Sequence, residues 1–544
     1  MKALSIYITA TLATLGLTAC GEFGDLNVNP NYPSESMTYS QFLYSSRYVK
    51  YFVCNSYYYD IWTQEYPGYL SESKNNQYGP LNCTTQFNTT DYYSYALRTL
   101  NEVIEQNTGE DRDNPFVLAW GSHNNQIAIC RTLRAFFYMS LTDIVGPTPY
   151  SEALKGNTEG IWEPKFDNTD YIYEQLDADL TEAYSLFDET EQMLASNYDI
   201  FYGGNVKRWM KFNATLRMLM AIKMKDVDPV NGKKRFAAAF ADGGMVDHLD
   251  SFTYTYDNST ASTSNFAPMY STAYNIGSGN QNHVPSKEIV DSLKMLRDPR
   301  LFTFCNVSTD AYKGAAGAYG PYSFDSYRGV PFGLSSNAEV AAQSKYCCSV
   351  GYKYCAQTAT YGVITAARCL LVEAEAAQLG WIDADVEQLY RSGIQASFQF
   401  EAELEKKNVA RTFEYDLEAY MAQPKVALSA DPQERLRQIW LQRWLAGFMT
   451  DGVEAWTDWR INNFPTLPMY SGQSNFETYP YRMGYGDNDR SLNKTQCDAA
   501  IDQYLEGEDS RFNRIWWDVA PNTSPKGELE SRDEIETYKY VKQS

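Results

Sequence analysis

The sequence predicts a mostly α-helical protein in which paired helices form a scaffold, long irregular loops interrupt it, and β structure is scarce. Apolar residues recur at three- and four-residue steps over much of the chain, as amphipathic helices require. Two stretches, 242–281 and 314–343, are instead rich in Gly, Ser, Thr, Asn and Tyr and have no helical period. Loops of this length inside a compact protein are uncommon and are often functional.

Seven segments carry the helical period, and Gly or Pro residues end several of them. They are 91–104, 116–141, 171–187, 205–225, 363–379, 384–400 and 433–448. In the fifth and sixth segments the spacing of small and aromatic residues is typical of one tetratricopeptide unit, where small residues let two helices approach. These residues are Ala374, Gly380, Ala384, Tyr390 and Ala396. We therefore expect tetratricopeptide-like helical pairs.

The first 19 residues have the features of a lipoprotein signal peptide. Lys2 supplies a basic start, 3–16 is an apolar core, and Leu17-Thr18-Ala19 precedes Cys20. A permanent transmembrane helix is less well supported, because it needs roughly 20 predominantly apolar residues and this run is shorter and interrupted by Ser, Thr and Gly. We expect a lipid on Cys20, an extended leash over 20–36, and a single helical domain over 37–544.

The net charge bears on the partners of this domain. The chain has 46 basic and 68 acidic residues and a formal net charge of −22. Such a charge repels phosphate backbones, so nucleic acid is not expected as a partner. Screening confines charge effects to about 10 Å, which leaves room for a local basic pocket.

Cysteine and histidine spacing gives no metal signature. Ten cysteines are present, and nine remain if Cys20 carries lipid. Four of them lie close together without the CxxC spacing of a zinc site: Cys347, Cys348, Cys355 and Cys369. Buried thiols or one local disulfide are favoured over a metal, and the three histidines form no HExxH pattern. No cofactor or metal is expected.

Enzyme motifs are also missing, since the sequence has no GxSxG elbow, Walker loop or zinc-protease helix. Glu373 and Glu375 are two residues apart and point to different helix faces. Glu454 and Asp458 are four apart, but caps and salt bridges explain them more simply than the paired acids of a glycosidase do. The segment 487–489 is a fragment of a calcium loop without its Gly and distal Glu. Catalysis is therefore disfavoured.

Aromatic residues make up 15% of the chain, with 44 Tyr, 26 Phe and 11 Trp. Tyrosine combines a flat apolar face with a polar tip, which suits surfaces that stack on sugar rings or grip peptides. We expect ligand contacts from aromatics outside the periodic helices, whereas helical Trp440, Trp444 and Phe448 should belong to the core. The expected ligand residues are Trp62, Tyr66, Tyr69, Tyr78, Tyr270, Tyr274, Tyr322 and Tyr327. The alternative is that these rings only pack.

Several short motifs recur in a defined order along the chain. The most specific are LTDIVGPTPYSEAL at 141–154, QRWLAGF at 442–448 and GVEAWTDWR at 452–460. Others lie at 25–31, 62–64, 164–167, 172–173, 202–205, 285–291 and 298–300. Together they resemble the SusD/RagB family of nutrient-binding outer-membrane lipoproteins of Bacteroidetes, in particular its second, SusD-like branch.

The resemblance implies a tetratricopeptide-like scaffold whose long loops form a ligand site on one side. It also implies a surface lipoprotein, without catalytic activity, that binds oligomeric nutrients and passes them to a SusC-like TonB-dependent outer-membrane transporter. Glycan oligosaccharides are favoured as ligands, and peptides remain an alternative because fold does not fix function. The other class left open is a lipid-anchored surface glycosidase or peptidase.

Overall fold

Helices dominate the structure, and strands occur only as two-stranded pairs within the part of the chain that is described. The computed structural model describes residues 36–53, 62–72, 86–257, 266–270, 283–307, 323–331, 347–467 and 480–519. Apolar side chains from nearly all the long helices meet in one continuous core. The mostly helical fold expected from the sequence is confirmed.

Side chains just before their first residues cap three of the described helices of the first half. The bounds of all the described first-half helices are α1 Thr38–Ser46, α2 Lys50–Val53, α3 Trp62–Glu65, α4 Arg98–Thr108, α5 Pro115–Leu118, α6 His123–Val145, α7 Gly156–Glu159, α8 Thr169–Leu186, α9 Val206–Lys223 and α10 Pro229–Asp242. A 3₁₀ turn, Arg47–Val49, joins α1 to α2, and a π-helical segment, Tyr92–Leu97, leads into α4. Asn205 caps α9 by accepting from the Arg208 amide at 3.1 Å.

The second half continues the same pattern of helices. Their bounds are α11 Lys287–Met295, α12 Leu301–Phe304, α13 Ala366–Gln378, α14 Val386–Val409, α15 Leu417–Met421, α16 Pro432–Ala446, α17 Gly452–Asn462, α18 Asp487–Leu492 and α19 Lys494–Tyr504. Asp385 caps α14, and Asp431 followed by Pro432 opens α16.

Short strands tie distant loops together. The antiparallel pairs are β1 Leu70–Glu72 with β6 His283–Pro285, β3 Thr148–Pro149 with β4 Phe166–Asp167, β5 Phe252–Thr255 with β9 Thr360–Ile364, and β7 Cys305–Asn306 with β8 Ser349–Val350. β2 Gln86–Phe87 pairs in parallel with β10 Gly484–Tyr485. The expected scarcity of β structure therefore holds in the described residues.

Helix positions agree with the predicted ones for α8, α9 and α16, and differ elsewhere for identifiable reasons. The predicted helix 116–141 is divided, because Gly121 has a φ of +111° and breaks the chain between α5 and α6. The predicted helix 363–379 starts late because Thr365 caps α13 and residues 363–364 belong to β9. Helix α10 was not expected. Pro229 looked like a terminator, but after the capping Asp228 it opens a helix.

Helices α13 and α14 pack as the tetratricopeptide-like spacing predicted. Ala374, Tyr390 and Ala396 are buried between them. A Cβ atom at Gly393 would lie 2.6 Å from Leu371 Cγ, so only glycine permits this close approach. Among the helical aromatics expected in the core, Trp444 and Phe448 are buried, whereas Trp440 is half-buried.

A buried ionic cluster joins three helices and the C-terminal segment. The Lys223 ammonium on α9 donates to Asp143 on α6 at 2.7 Å and to Glu454 on α17 at 2.8 Å. Asp143 also accepts from the Tyr173 hydroxyl at 2.5 Å and the Trp517 indole at 3.0 Å. Burial alone would lower the pKa of Lys223, but the two carboxylates outweigh it and raise that pKa.

A second buried network crosslinks α13, α16 and α17. Asp458 accepts from Arg368 at 2.5 Å and from both Nε and Nη2 of Arg443 at 3.0 Å. Arg368 also pairs with Asp451, and Arg443 with Glu375 at 2.5 Å. Burial would raise the pKa of Asp458, yet the two arginines lower it. Glu454 and Asp458 therefore lie in structural ion pairs, as the sequence favoured, and do not face a common cleft.

Glu373 on α13 is a buried carboxyl without an ion pair in the described residues. Its side chain is 3% exposed and accepts a hydrogen bond from the Cys369 thiol at 3.5 Å. Burial raises the pKa of Glu373 from 4.5 to about 7. The folded state therefore holds this proton more tightly than the unfolded state. The resulting stabilisation is complete below pH 4.5 and is lost as the pH rises through about 7.

We predict that Glu373→Gln is more stable than the parent protein at pH 8 and nearly equal to it at pH 5, because glutamine cannot ionise. A displacement from 4.5 to about 7 sets an upper limit of about 3 kcal/mol on the difference. Denaturant titrations at the two pH values measure it. Glu375→Gln is the matched control, since it removes one of the two carboxylate partners of Arg443 and should destabilise the protein at pH 8. Equal stability of Glu373→Gln and parent at both pH values would contradict the assignment.

Candidate functional site

Several aromatic residues expected to contact ligand lie in the core instead. Trp62, Tyr66 and Tyr69 are 3% exposed or less, and Trp62 and Tyr66 pack against Trp456 with ring centroids 6.1 and 4.9 Å apart. The Tyr69 hydroxyl donates to the Trp444 carbonyl at 2.5 Å. Residues 62–70 thus form a buried wedge against α16 and α17. The expectation that these rings are free of packing duties was wrong, because distant helices cover them.

The other residues predicted to bind ligand fall into two groups, those that pack against neighbouring rings and those outside the described residues. Tyr327 is 2% exposed and packs against Phe302 at 5.6 Å, and Tyr270 is half-buried against Phe266 at 5.6 Å. Tyr78, Tyr274, Tyr322 and the expected lipidation site Cys20 lie outside the described residues.

Exposed tyrosines instead cluster on the first helical segment and the π-helical segment. Tyr44, Tyr48, Tyr51 and Tyr95 form this group, which we name the tyrosine surface. Tyr44 is 44% exposed and Tyr95 is 41% exposed, while Tyr48 and Tyr51 are half-buried. Contiguous exposed aromatic rings are unusual on a protein surface and mark interaction sites.

Tyr48 is the centre of the tyrosine surface. Its ring lies parallel to that of Tyr95, with centroids 5.7 Å apart and planes 18° apart. The Tyr44 ring stands edge-on to both, at 5.9 Å from Tyr48 and 6.5 Å from Tyr95. Burial and a hydrogen bond with the Tyr44 hydroxyl raise the pKa of Tyr48. The Tyr48 phenol therefore stays neutral at physiological pH and can both donate and accept hydrogen bonds.

A second aromatic layer holds the tyrosine surface in place. Tyr92, Phe52 and Phe87 are buried directly beneath it, and Tyr48 contacts Tyr92 at 6.4 Å. Tyr92 stacks on Phe87 at 5.5 Å and contacts Phe52 at 4.9 Å. This layer fixes the positions of the surface rings above it. Those surface rings therefore lose little conformational entropy when they bind a ligand.

Charged groups lie at the edge of the tyrosine surface. The Lys50 ammonium lies 5.1 Å from the centroid of the Tyr51 ring. Burial lowers the pKa of Lys50, Arg47 adds to this effect, and Asp257 opposes it. The Tyr256 hydroxyl reaches the Lys50 carbonyl at 3.5 Å, which brings the end of β5 to this edge. Hydrogen-bond donors and acceptors therefore border the stacked rings.

The sequence carries a signal for this surface outside the seven predicted helical segments. Tyr44, Tyr48 and Tyr51 follow the i, i+4, i+7 spacing of one helical face, and Phe42 and Val49 lie buried on the other. A stripe of aromatic residues at this spacing usually belongs to the core. Only the high content of tyrosine, whose hydroxyl group is polar, distinguishes an exposed stripe from a buried one. Tyr95 lies in a π-helical turn, a feature frequent at functional sites but without a sequence signature.

Metal and membrane-spanning features are not found in the described ranges. No group of His, Cys, Asp or Glu there could hold a metal ion. No described helix is both long and apolar enough to cross a bilayer. The clustered cysteines Cys348, Cys355 and Cys369 are buried, and burial raises the pKa of the Cys355 thiol to about 12.

The chain belongs to the SusD-like family described as starch-binding and associating with the outer membrane, which its sequence matches over residues 30–486. This confirms the family resemblance drawn from the motifs. No curated protein matches the sequence.

Solved structures share the fold at low identity. A chitin-binding protein is 21% identical with a TM-score of 0.71, and the alignment covers 89% of this chain and 100% of that one. A SusD homologue from Bacteroides fragilis NCTC 9343 is 21% identical with a TM-score of 0.73, over 88% and 99% of the two chains. A chitin-binding SusD homologue from Flavobacterium johnsoniae is 20% identical with a TM-score of 0.68, over 89% and 99%. At this identity the likeness shows the helical scaffold alone.

We predict that replacing a buried aromatic residue destabilises the protein far more than replacing an exposed one. Trp62→Ala should lower the free energy of unfolding by about 3–5 kcal/mol, because it empties a packed position beside Trp456. Tyr44→Ala should change it by about 0.5 kcal/mol or less, since the ring is largely exposed. Chemical denaturation of the two variants measures both values. A large loss for Tyr44→Ala would show that the tyrosine surface is packing, not a site.

Proposed function

We propose that this protein is a non-catalytic surface lipoprotein that binds oligomeric nutrients, with glycan oligosaccharides favoured, and delivers them to a SusC-like TonB-dependent transporter. The observation that carries the binding part is the tyrosine surface, with its exposed rings and charged edge. The family description, starch-binding, and the chitin-binding relatives support a carbohydrate ligand. Peptides are the second candidate, because tyrosine-rich surfaces also bind them.

The geometry suits a sugar chain. The planes of Tyr44 and Tyr95 are 78° apart, so two different pyranose units of a sugar chain can place their C–H faces on the two rings, and their hydroxyl groups can reach the phenols. Lys50 and Asp257 can form hydrogen bonds with hydroxyl groups of the next sugar units in the chain. Each ring contact contributes about 0.5–1.5 kcal/mol beyond its buried area, so several contacts with hydrogen bonds give affinities between roughly millimolar and micromolar. Such affinity permits capture and subsequent release.

A catalytic role has little support in the described residues. The acidic pair Glu454 and Asp458, whose spacing is closer to that of catalytic acids, forms ion pairs with Lys223, Arg368 and Arg443. Glu373 lies buried on α13 and Glu375 is paired with Arg443. Paired acids of a glycosidase must instead flank an open cleft about 5–10 Å apart.

We predict that Tyr44→Ala and Tyr95→Ala each weaken binding of chitin-type or starch-type oligosaccharides by about 3- to 10-fold without loss of fold. Isothermal titration against both oligosaccharide series and a peptide library measures this. Tyr171→Ala is the matched control, because Tyr171 is 40% exposed on α8, outside the tyrosine surface. The oligosaccharides should be recovered uncut after long incubation. Binding of peptides only, unchanged affinity in both variants, or cleavage products would contradict the proposal.

We predict that Cys20→Ser moves the protein from the membrane fraction to the soluble fraction in cells lacking the partner transporter, because the lipid on Cys20 would be the anchor. With the transporter present, detergent extracts of the parent protein should contain a stable complex of the two, with an interface above about 1,200 Å². Membrane association of Cys20→Ser without the transporter argues against lipid anchoring. Purification at native levels without any barrel protein argues against delivery.

A further inference from the structure

A cleft of about 320 Å³ opens where the end of α14 meets the segment that follows it. One face of α14 forms a wall with Gln399, Glu403 and Lys406. Residues 411–415 contribute a second wall, and His248, from the 3₁₀ turn before β5, also lines the cleft. The volume lies at the lower end of the roughly 300–1,000 Å³ that small-molecule sites occupy.

The wall formed by residues 411–415 is aromatic and rigid. Phe413 and Tyr415 line the cleft, and their rings lie 5.4 Å apart. Both pack on the fully buried Phe398, at 6.2 and 4.9 Å. Tyr415 is only half-buried, and burial raises its pKa, so its phenol is neutral. The cleft therefore has one flat apolar side with a polar tip.

The α14 wall is polar. Gln399 and Glu403 are half-buried, and neither side chain has a hydrogen-bond partner among the described residues. They are four positions apart, so they project from the same helix face. Their polar atoms are accessible to solvent, so both side chains can form hydrogen bonds with a ligand that has many hydroxyl groups.

The charges around the cleft are mixed. Arg411 is held by Glu405, with Nε 3.4 Å from its carboxylate, and its guanidinium lies 5.0 Å from the Tyr352 ring. His248 lies 3.1 Å from the Asp247 carboxylate. Lys406 and Glu403 add one charge of each sign. Neither an anion nor a cation is strongly favoured, which points to a neutral, hydrogen-bonding ligand.

We propose that this cleft is a second saccharide-binding site, which takes a terminal neutral sugar unit with its ring face on Tyr415 and its hydroxyls on Gln399 and Glu403. The proposal rests on the proposed function in that the ligand belongs to the same chemical class. The cleft is separate from the tyrosine surface. Strand β5 runs between His248 at the cleft and Asp257 beside Lys50, and its four residues span about 13 Å.

A photoreactive sugar tests the two sites independently. Disaccharides of the chitin and starch type that carry a diazirine are irradiated with the mature protein, and labelled peptides are identified by mass spectrometry. We expect label in two places, the peptides that contain the tyrosine surface and those that contain residues 399–415. Glu403→Ala and Gln399→Ala should each reduce the second label at least tenfold and leave the first unchanged. Tyr44→Ala should instead reduce the first label about 3- to 10-fold and leave the second unchanged.

The matched control is Glu387→Ala, an exposed glutamate on the same helix about 24 Å from Glu403. It should leave both labels unchanged. Label on the tyrosine surface with none on residues 399–415 overturns the second site and leaves the proposed function standing. The second site is also overturned if residues 399–415 are labelled but neither Glu403→Ala nor Gln399→Ala reduces that label. No specific label anywhere overturns both proposals.

Discussion

The ion cluster of Lys223, Asp143 and Glu454 is the constraint on which the architecture depends. It places one ammonium and two carboxylates at 5% exposure or less, where unpaired charges would be prohibitive. Helices α6, α9 and α17 must therefore meet at one point in one register. Tyr173 and Trp517 bring α8 and the C-terminal segment to the same carboxylate. Breaking such a group typically costs about 3–5 kcal/mol, because charges are left uncompensated.

The helices joined by this ion cluster also determine which aromatic residues are buried and which are exposed. Helix α6 carries Phe136 and Phe137, which contact Phe52 at 5.7 and 5.9 Å. The buried layer beneath the tyrosine surface is thus anchored to the central helix. On the other side, α16 and α17 cover the 62–70 segment with Trp444 and Trp456. The same residue type, tyrosine, is core in one place and surface in another because the neighbouring helices differ.

Much of the fold could be predicted from the sequence because helices are local. The apolar periods predicted α9 and α16 to within about two residues at each end. The predicted helix limits were wrong where one residue is compatible with two different local structures. Pro229 suggested the end of one helix but begins the next, and Thr365 marks the change from strand to helix. The candidate site was less predictable, since exposure is not a local property.

The sequence by itself determined the helical class, most helix positions, the paired packing of α13 and α14, and the family, because periodicity, caps and motifs lie within short stretches of chain. Only the tertiary structure decided which rings are accessible. Tyr69 is covered by Trp444, 375 positions away, so its burial could not be inferred from its own segment. Tyr48 meets Tyr95 only because the first helix and the π-helical segment pack side by side. Exposure depends on contacts between distant segments, and those contacts form only when the whole core assembles.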